Sequence, residues 1–163
     1  MRPRPPARPR NLSGGWLLAL APAVLSAGEP AYPQGASSFQ ANCAVCHGPA
    51  GAGLPALAPP LLSNPARYAA SAEGRRQLAM TLLYGLFGDI TVDGKHYDFR
   101  MPDFARLDDA TLAATLNFVV FDLGHAPVTV PPLSAADLIA ERAKPADGAA
   151  VRAHRQGLVP AGT

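Results

Sequence analysis

Residues 43–47 read Cys43-Ala44-Val45-Cys46-His47, two thiols three positions apart with an imidazole directly after them. C-x-x-C-H is the attachment signature of a c-type haem. The spacing has a chemical reason. Each thiol adds to one vinyl group of the macrocycle, so the cofactor becomes covalent, and the histidine on the same turn of chain reaches the iron from the proximal side. A haem held in this way also supplies apolar surface that a small domain lacks. Three other readings compete. Thiol–disulfide exchange also uses C-x-x-C, usually within a thioredoxin-like βαβ pattern, and no such alternation is visible. Zinc needs further ligands at regular spacing; there is no third cysteine, and His96, His125 and His154 are scattered. A structural Cys43–Cys46 disulfide is the plainest alternative. The export-like N-terminus and the proline-rich segment after the motif favour haem over all three.

The chain has 163 residues, enough for one ordinary domain with additions. Its 48% apolar content can build a core, which excludes wholesale disorder. Eighteen prolines and fifteen glycines predict many turns and short elements. The net charge of +2 comes from the N-terminus, where Arg2, Arg4, Arg8 and Arg10 precede any acid. Without them ten basic residues face twelve acidic ones. A general nucleic-acid partner is therefore excluded. The basic arm is followed by the apolar run Trp16–Leu25 and the small residues Ser26, Ala27 and Gly28. This is the three-part pattern of a signal peptide, residues 1–27, with cleavage near 26–28. The run is too short to span a bilayer, so no membrane span is expected after cleavage. No cysteine at the cut supports a lipid anchor. The absence of an Arg-Arg pair from this N-terminal stretch points to general export, with the cofactor added after translocation. The expected location is an oxidising compartment, the bacterial periplasm.

In the mature chain, Gly35 to Cys46 reads as a short helix. Residues 48–66 carry five prolines and three glycines and read as an irregular loop. Ser71 with Glu73 marks a helix start, and Leu78, Leu82 and Leu86 line one face of a helix that ends near Gly85–Gly88. Asp93-Gly94 between two β-prone triplets predicts a tiny hairpin. Leu107–Leu123 is the strongest helix, with Asp108 and Asp109 at its positive end and an apolar stripe through Leu112, Leu116, Val119, Val120 and Leu123. Gly124 is its expected stop. Beyond Pro127, Ser134–Ala143 and Gly148–Gln156 are helical candidates without a core of their own. Residues 34–124 are thus the expected haem domain. Residues 125–163 are an extension that packs on it or meets a partner.

The segment from Gly35 to about Gly124 resembles the class I monohaem cytochrome c family. The likeness rests on Gly35, Phe39, Cys43, Cys46, His47 and Gly48, then Pro59-Pro60-Leu61, the stretch from Ile90 to Lys95 through Met101-Pro102, and the helix DDATLAATLNFVV. It implies that the first and last helices of the haem domain cross, with Gly35, Phe39 and Phe118 at the contact. It implies too that the Pro59 carbonyl accepts from Nδ1 of His47, and that Leu61 packs on the haem face. Tyr68, Tyr97 and Arg100 can meet the haem propionates, or be ordinary surface residues. For the second axial ligand the residues offer Met80, Met101, His96, His125 and His154. Met101 is favoured: it lies in a loop 54 residues after His47, and Pro102 biases it towards an extended conformation. The resemblance points to the same Met-Pro segment. Met80 reads as core packing, His96 as solvated, His125 as a helix-end cation and His154 as exposed.

The expected fold is all-α: short helices around one covalent haem c, with a small hairpin and a C-terminal extension. The expected function is single-electron transfer with His47/Met101 ligation, not enzymatic catalysis. The partners are redox proteins: a periplasmic dehydrogenase and an acceptor, or a dehydrogenase to which the chain belongs as cytochrome subunit. The alternative is a five-coordinate haem enzyme or gas-binding sensor. Asp108 and Asp109 read as helix-start residues, Arg75-Arg76 as a solvated face, and Gly51 and Gly53 lack the context of a phosphate loop.

Overall fold

The computed structural model describes Met1 and residues 29–158. The expected export segment and its cleavage site lie, but for Met1, outside the described residues. The elements are α1 (Pro33–Asn42), α2 (Ala44–His47), α3 (Asn64–Ala69), α4 (Ala72–Tyr84), β1 (Ile90–Val92), β2 (Lys95–Tyr97), α5 (Asp109–Asn117), a π-helical turn (Phe118–Leu123), α6 (Ala135–Arg142) and α7 (Gly148–Leu158). The fold is mostly helical, as expected, with one two-stranded antiparallel sheet.

Several boundaries differ from the sequence reading. The helix expected from Gly35 to Cys46 is two helices, because Cys43 opens to φ −112° and breaks the turn between them. The irregular loop ends at Ser63, not 66: α3 begins with Pro65 in its first turn, where a missing N–H goes unneeded. The helix expected over Leu107–Leu123 starts at Asp109 and widens at Phe118 into the π-helical turn. Its stripe still faces inward, with Leu112, Leu116, Val119 and Val120 all buried. Gly124 keeps a right-handed backbone, and the left-handed residue is His125 instead.

Other local signals act as anticipated. Ser71 caps α4 by accepting from the Gly74 amide at 3.0 Å, and Asp108 caps α5 by accepting from the Thr111 amide at 2.8 Å. Asp93 and Gly94 both have positive φ, as a two-residue hairpin turn of this type requires. The strands pair Ile90 with Tyr97 and Val92 with Lys95.

The decisive packing contact is the crossing of α1 over α5. A Cβ on Gly35 would lie 2.0 Å from the Ala114 carbonyl oxygen and 2.9 Å from Phe118 Cβ. Only glycine lets the two backbones approach so closely. Beside it the Phe39 and Phe118 rings sit 5.4 Å apart, tilted by 51°, an arrangement that aromatic quadrupoles favour.

The segment after residue 125 shares the main core. Val130, Leu133 and Leu138 are buried with Leu78, Leu82 and Leu83 of α4 and with Leu112 and Leu116 of α5. Ser134 and Asp137 form a reciprocal capping box at the start of α6. Arg142 pairs with Asp109 at 2.9 Å and donates to the Ala105 and Leu107 carbonyls. Asn117 clamps the connection: its Nδ2 donates to the Leu133 carbonyl at 2.9 Å, and its Oδ1 accepts from the Leu133 amide at 2.8 Å. Both bonds are buried, so Asn117→Ala would strand two backbone groups. The expected loss is about 1–3 kcal/mol per unsatisfied group, read as a lower midpoint in denaturant unfolding. A midpoint like that of the parent would contradict the clamp.

Candidate functional site

At the C-terminal end of α1 the chain turns so that Cys43, Cys46 and His47 face one cavity of about 240 Å³. Loop 48–63 folds back beneath it: the Gly53 amide donates to the His47 carbonyl at 2.8 Å, and the Leu61 amide to the Gly51 carbonyl at 2.8 Å. That brings the Pro59 carbonyl to His47, whose Nδ1 donates to it at 2.9 Å. The proton on Nδ1 leaves Nε2 with its lone pair, the form a metal requires. His47 is buried. Burial lowers its pKa below the ordinary histidine value, outweighing the opposing effect of the Pro59 carbonyl.

The opposite wall comes from the other half of the chain. Gly85, with φ +73°, ends α4 so that the next residue, Leu86, pairs with Met101: each amide donates to the other's carbonyl, at 3.1 and 3.0 Å. A Cβ on Gly85 would meet the Met101 carbonyl oxygen at 2.4 Å. Met101 is thus held at a fixed register on the cavity wall. All nine residues singled out from the sequence, Cys43, Cys46, His47, Pro59, Leu61, Tyr68, Tyr97, Arg100 and Met101, line this one cavity. Met80 does not; it is buried against Leu86 and Val151. His96, His125 and His154 also lie outside the lining.

His154 departs from its expected exposure. It is half-buried on α7, with Nδ1 bonded to Gln77 Oε1 at 2.7 Å and Nε2 3.2 Å from Glu73. The sequence reading also missed six polar residues on the lining: Asn42, Asn64, Gln77, Thr81, Thr115 and Arg155. Gln77 is 2% exposed and donates to Thr81 Oγ1 at 3.1 Å. A glutamine next to the leucine stripe was its only signal. Arg155 had none, because its position depends on where α7 docks.

The rival chemistries fit less well. Burial, reinforced by Cys46, pushes the Cys43 thiol up to about 11, whereas exchange-active thiols are low. Among the described residues no three histidine, cysteine or acidic side chains cluster to hold a metal ion. The lining suits an iron porphyrin instead. Its walls are mainly apolar, an imidazole and a thioether supply iron ligands, and two thiols lie within the same cavity. No acidic residue is among the lining residues, which include Arg100 and Arg155. Neither the Tyr68 nor the Tyr97 hydroxyl bonds to another described residue, so donors remain for a carboxylate-bearing ligand.

Helices crossing at a glycine around such a cavity define a c-type cytochrome. The family described as cytochrome c oxidase, cbb3-type, subunit III matches residues 30–119, and the chain belongs to that family of haem proteins. It is similar to two cytochromes c-552 of Thermus thermophilus, 41% identical to each over 90 residues. Those residues are 55% of this chain, and they span 69% of one relative and 61% of the other. The chain is accordingly an electron-transfer protein of the cytochrome c type, a family whose cofactor is haem c. The family match ends before α6 and α7. In the haem-free chain, alkylation of Cys43 should be slow at pH 7 and half-maximal near pH 11. A half-maximum near the ordinary thiol value would contradict the buried setting.

Proposed function

We propose that the chain carries one haem c, bound covalently through Cys43 and Cys46, with His47 and Met101 as axial ligands, and that it shuttles single electrons in the periplasm. Residues 1–27 direct export and are cleaved near 26–28. Residues 34–124 hold the haem, and residues 125–163 extend that unit. The donor is a periplasmic dehydrogenase, which the protein serves as a free carrier or as a cytochrome subunit, and the acceptor lies downstream. The chain is not itself an enzyme. The observation that carries this reading is the 2.9 Å bond from His47 Nδ1 to Pro59, which frees Nε2 in a cavity that also contains Cys43, Cys46 and Met101.

Bound haem supplies an iron that gains and loses one electron, at a potential raised by His/Met relative to His/His ligation. The protein's part is to keep the site rigid. The Pro59 carbonyl holds the His47 ring in one orientation and one tautomer. The pairing of Leu86 with Met101 holds the thioether at its register, so little rearranges between oxidation states. The apolar walls exclude water. Val45 is 78% exposed and Phe99 55% exposed, and both also line the cavity. They offer a small apolar contact zone of the kind that transient redox encounters use.

Optical spectra test the ligation. For the protein matured in a periplasm, the oxidised form should show a far-red sulfur-to-iron band, and the reduced form should not respond to carbon monoxide. Met101→Ala should lose the band and admit carbon monoxide. A parent protein without the band that binds carbon monoxide readily would be five-coordinate, and the enzyme or sensor reading would replace this one.

A further inference from the structure

We propose that Arg155 of α7 is a carboxylate-binding residue of the haem cavity: its guanidinium pairs with a propionate of the bound haem and raises the reduction potential. The proposal rests on the haem reading above and concerns a helix outside the family match.

Five observations carry it. First, Arg155 is on the cavity lining, although it lies 36 residues beyond the matched segment 30–119. Second, its charge is uncompensated. Arg75 pairs with Asp137, Arg76 with Glu141 and Arg142 with Asp109, but Arg155 has no acidic partner among the described residues. Its hydrogen bond there runs from Nη2 to the Thr91 carbonyl at 3.0 Å. That bond orients the guanidinium and leaves most of its five N–H donors free. Third, the residue is half-buried, and a charge withdrawn from water needs a counter-charge. No aspartate or glutamate lines the cavity, so the counter-charge must arrive with the ligand.

Fourth, α7 is fixed in place. Val151 is fully buried against Met80 and Leu86, and His154 bonds to Gln77 and approaches Glu73. The neighbouring Arg155 is thereby held against the hairpin. Fifth, its field reaches the lining. Burial raises the Tyr68 pKa, and the positive charge of Arg155 opposes that rise. The other cavity arginine is differently engaged, with the Arg100 guanidinium 4.0 Å above the Phe87 ring.

A guanidinium matches a carboxylate in geometry and can bond it through two N–H groups. The pair cancels a negative charge that would otherwise stabilise ferric iron, so the ferrous form gains. The C-terminal segment then does more than cover the core, because it contributes a group that sets the potential.

The test compares the wild-type holoprotein with Arg155→Gln and Arg155→Lys by spectroelectrochemical titration. Arg155→Gln should keep the parent optical spectrum while its equilibrium constant for reduction falls about tenfold, or about 59 mV for one electron. Arg155→Lys should recover more than half of that fall. An unchanged potential in Arg155→Gln overturns the proposal, and so does a lysine variant that falls as far as the glutamine variant. Both results leave the haem reading intact. A wild-type protein that matures without haem overturns the haem reading instead, and this proposal with it. If the variants do not fold, a crystal structure of the wild-type holoprotein decides. A guanidinium within hydrogen-bond distance of a haem carboxylate supports the pairing, and one held by Thr91 alone overturns it.

Discussion

The contact between the Gly35 backbone and the Ala114 carbonyl sets the geometry of everything around the cavity. α1 and α5 cross with no room for a single methyl group between them. The crossing fixes where α1 ends, and so where Cys43, Cys46 and His47 emerge. It also fixes Phe39 against Phe118 and puts Thr115, Leu116 and Val119 on the cavity wall. The imidazole that emerges there is then oriented by the Pro59 carbonyl at 2.9 Å.

The second organising feature is the way the late segments close on α4. Asn117 ties Leu133 to the end of α5, Arg142 ties α6 to the start of α5, and Glu141 receives Arg76 and Lys144. Burial disfavours the Glu141 carboxylate, yet its bonds to Lys144 and Arg76 outweigh this and hold its pKa below the ordinary value. The carboxylate therefore stabilises the fold above the ordinary glutamate range and loses that contribution as pH falls through its lowered pKa. All of these ties except the Glu141–Lys144 pair join chain beyond the matched segment to chain within it. The extension behaves as part of the domain, and α7 reaches the hairpin and the cavity.

Much of the site could be read before the structure, for local reasons. Cys43, Cys46 and His47 lie within one turn of chain, so their proximity is guaranteed by sequence. Ser71, Asp108, Ser134 and the Asp93-Gly94 turn act on their immediate neighbours, and their effects are correspondingly visible. The Pro59 carbonyl follows from the family resemblance alone, Met101 from its loop position before Pro102 as well as from the resemblance, and both residues line the cavity with His47. The gaps were tertiary. The break at Cys43 and the π-helical turn at Phe118 answer to packing across the α1–α5 crossing. No periodicity within one helix records such a demand. His154 reads as exposed from sequence and nothing there singles out Arg155, because only the docking of α7 on Met80 and Leu86 brings them to Gln77 and Thr91.

The central claim is that this fold is built around a haem joined to the chain at Cys43 and Cys46. Mass spectrometry of the protein matured in a periplasm, denatured and extracted with acidified acetone, tests it most directly. The account predicts a polypeptide heavier by one haem after extraction, with the added mass on the peptide that contains Cys43 through His47. Unmodified thiols, or a disulfide between Cys43 and Cys46, on that peptide would contradict it.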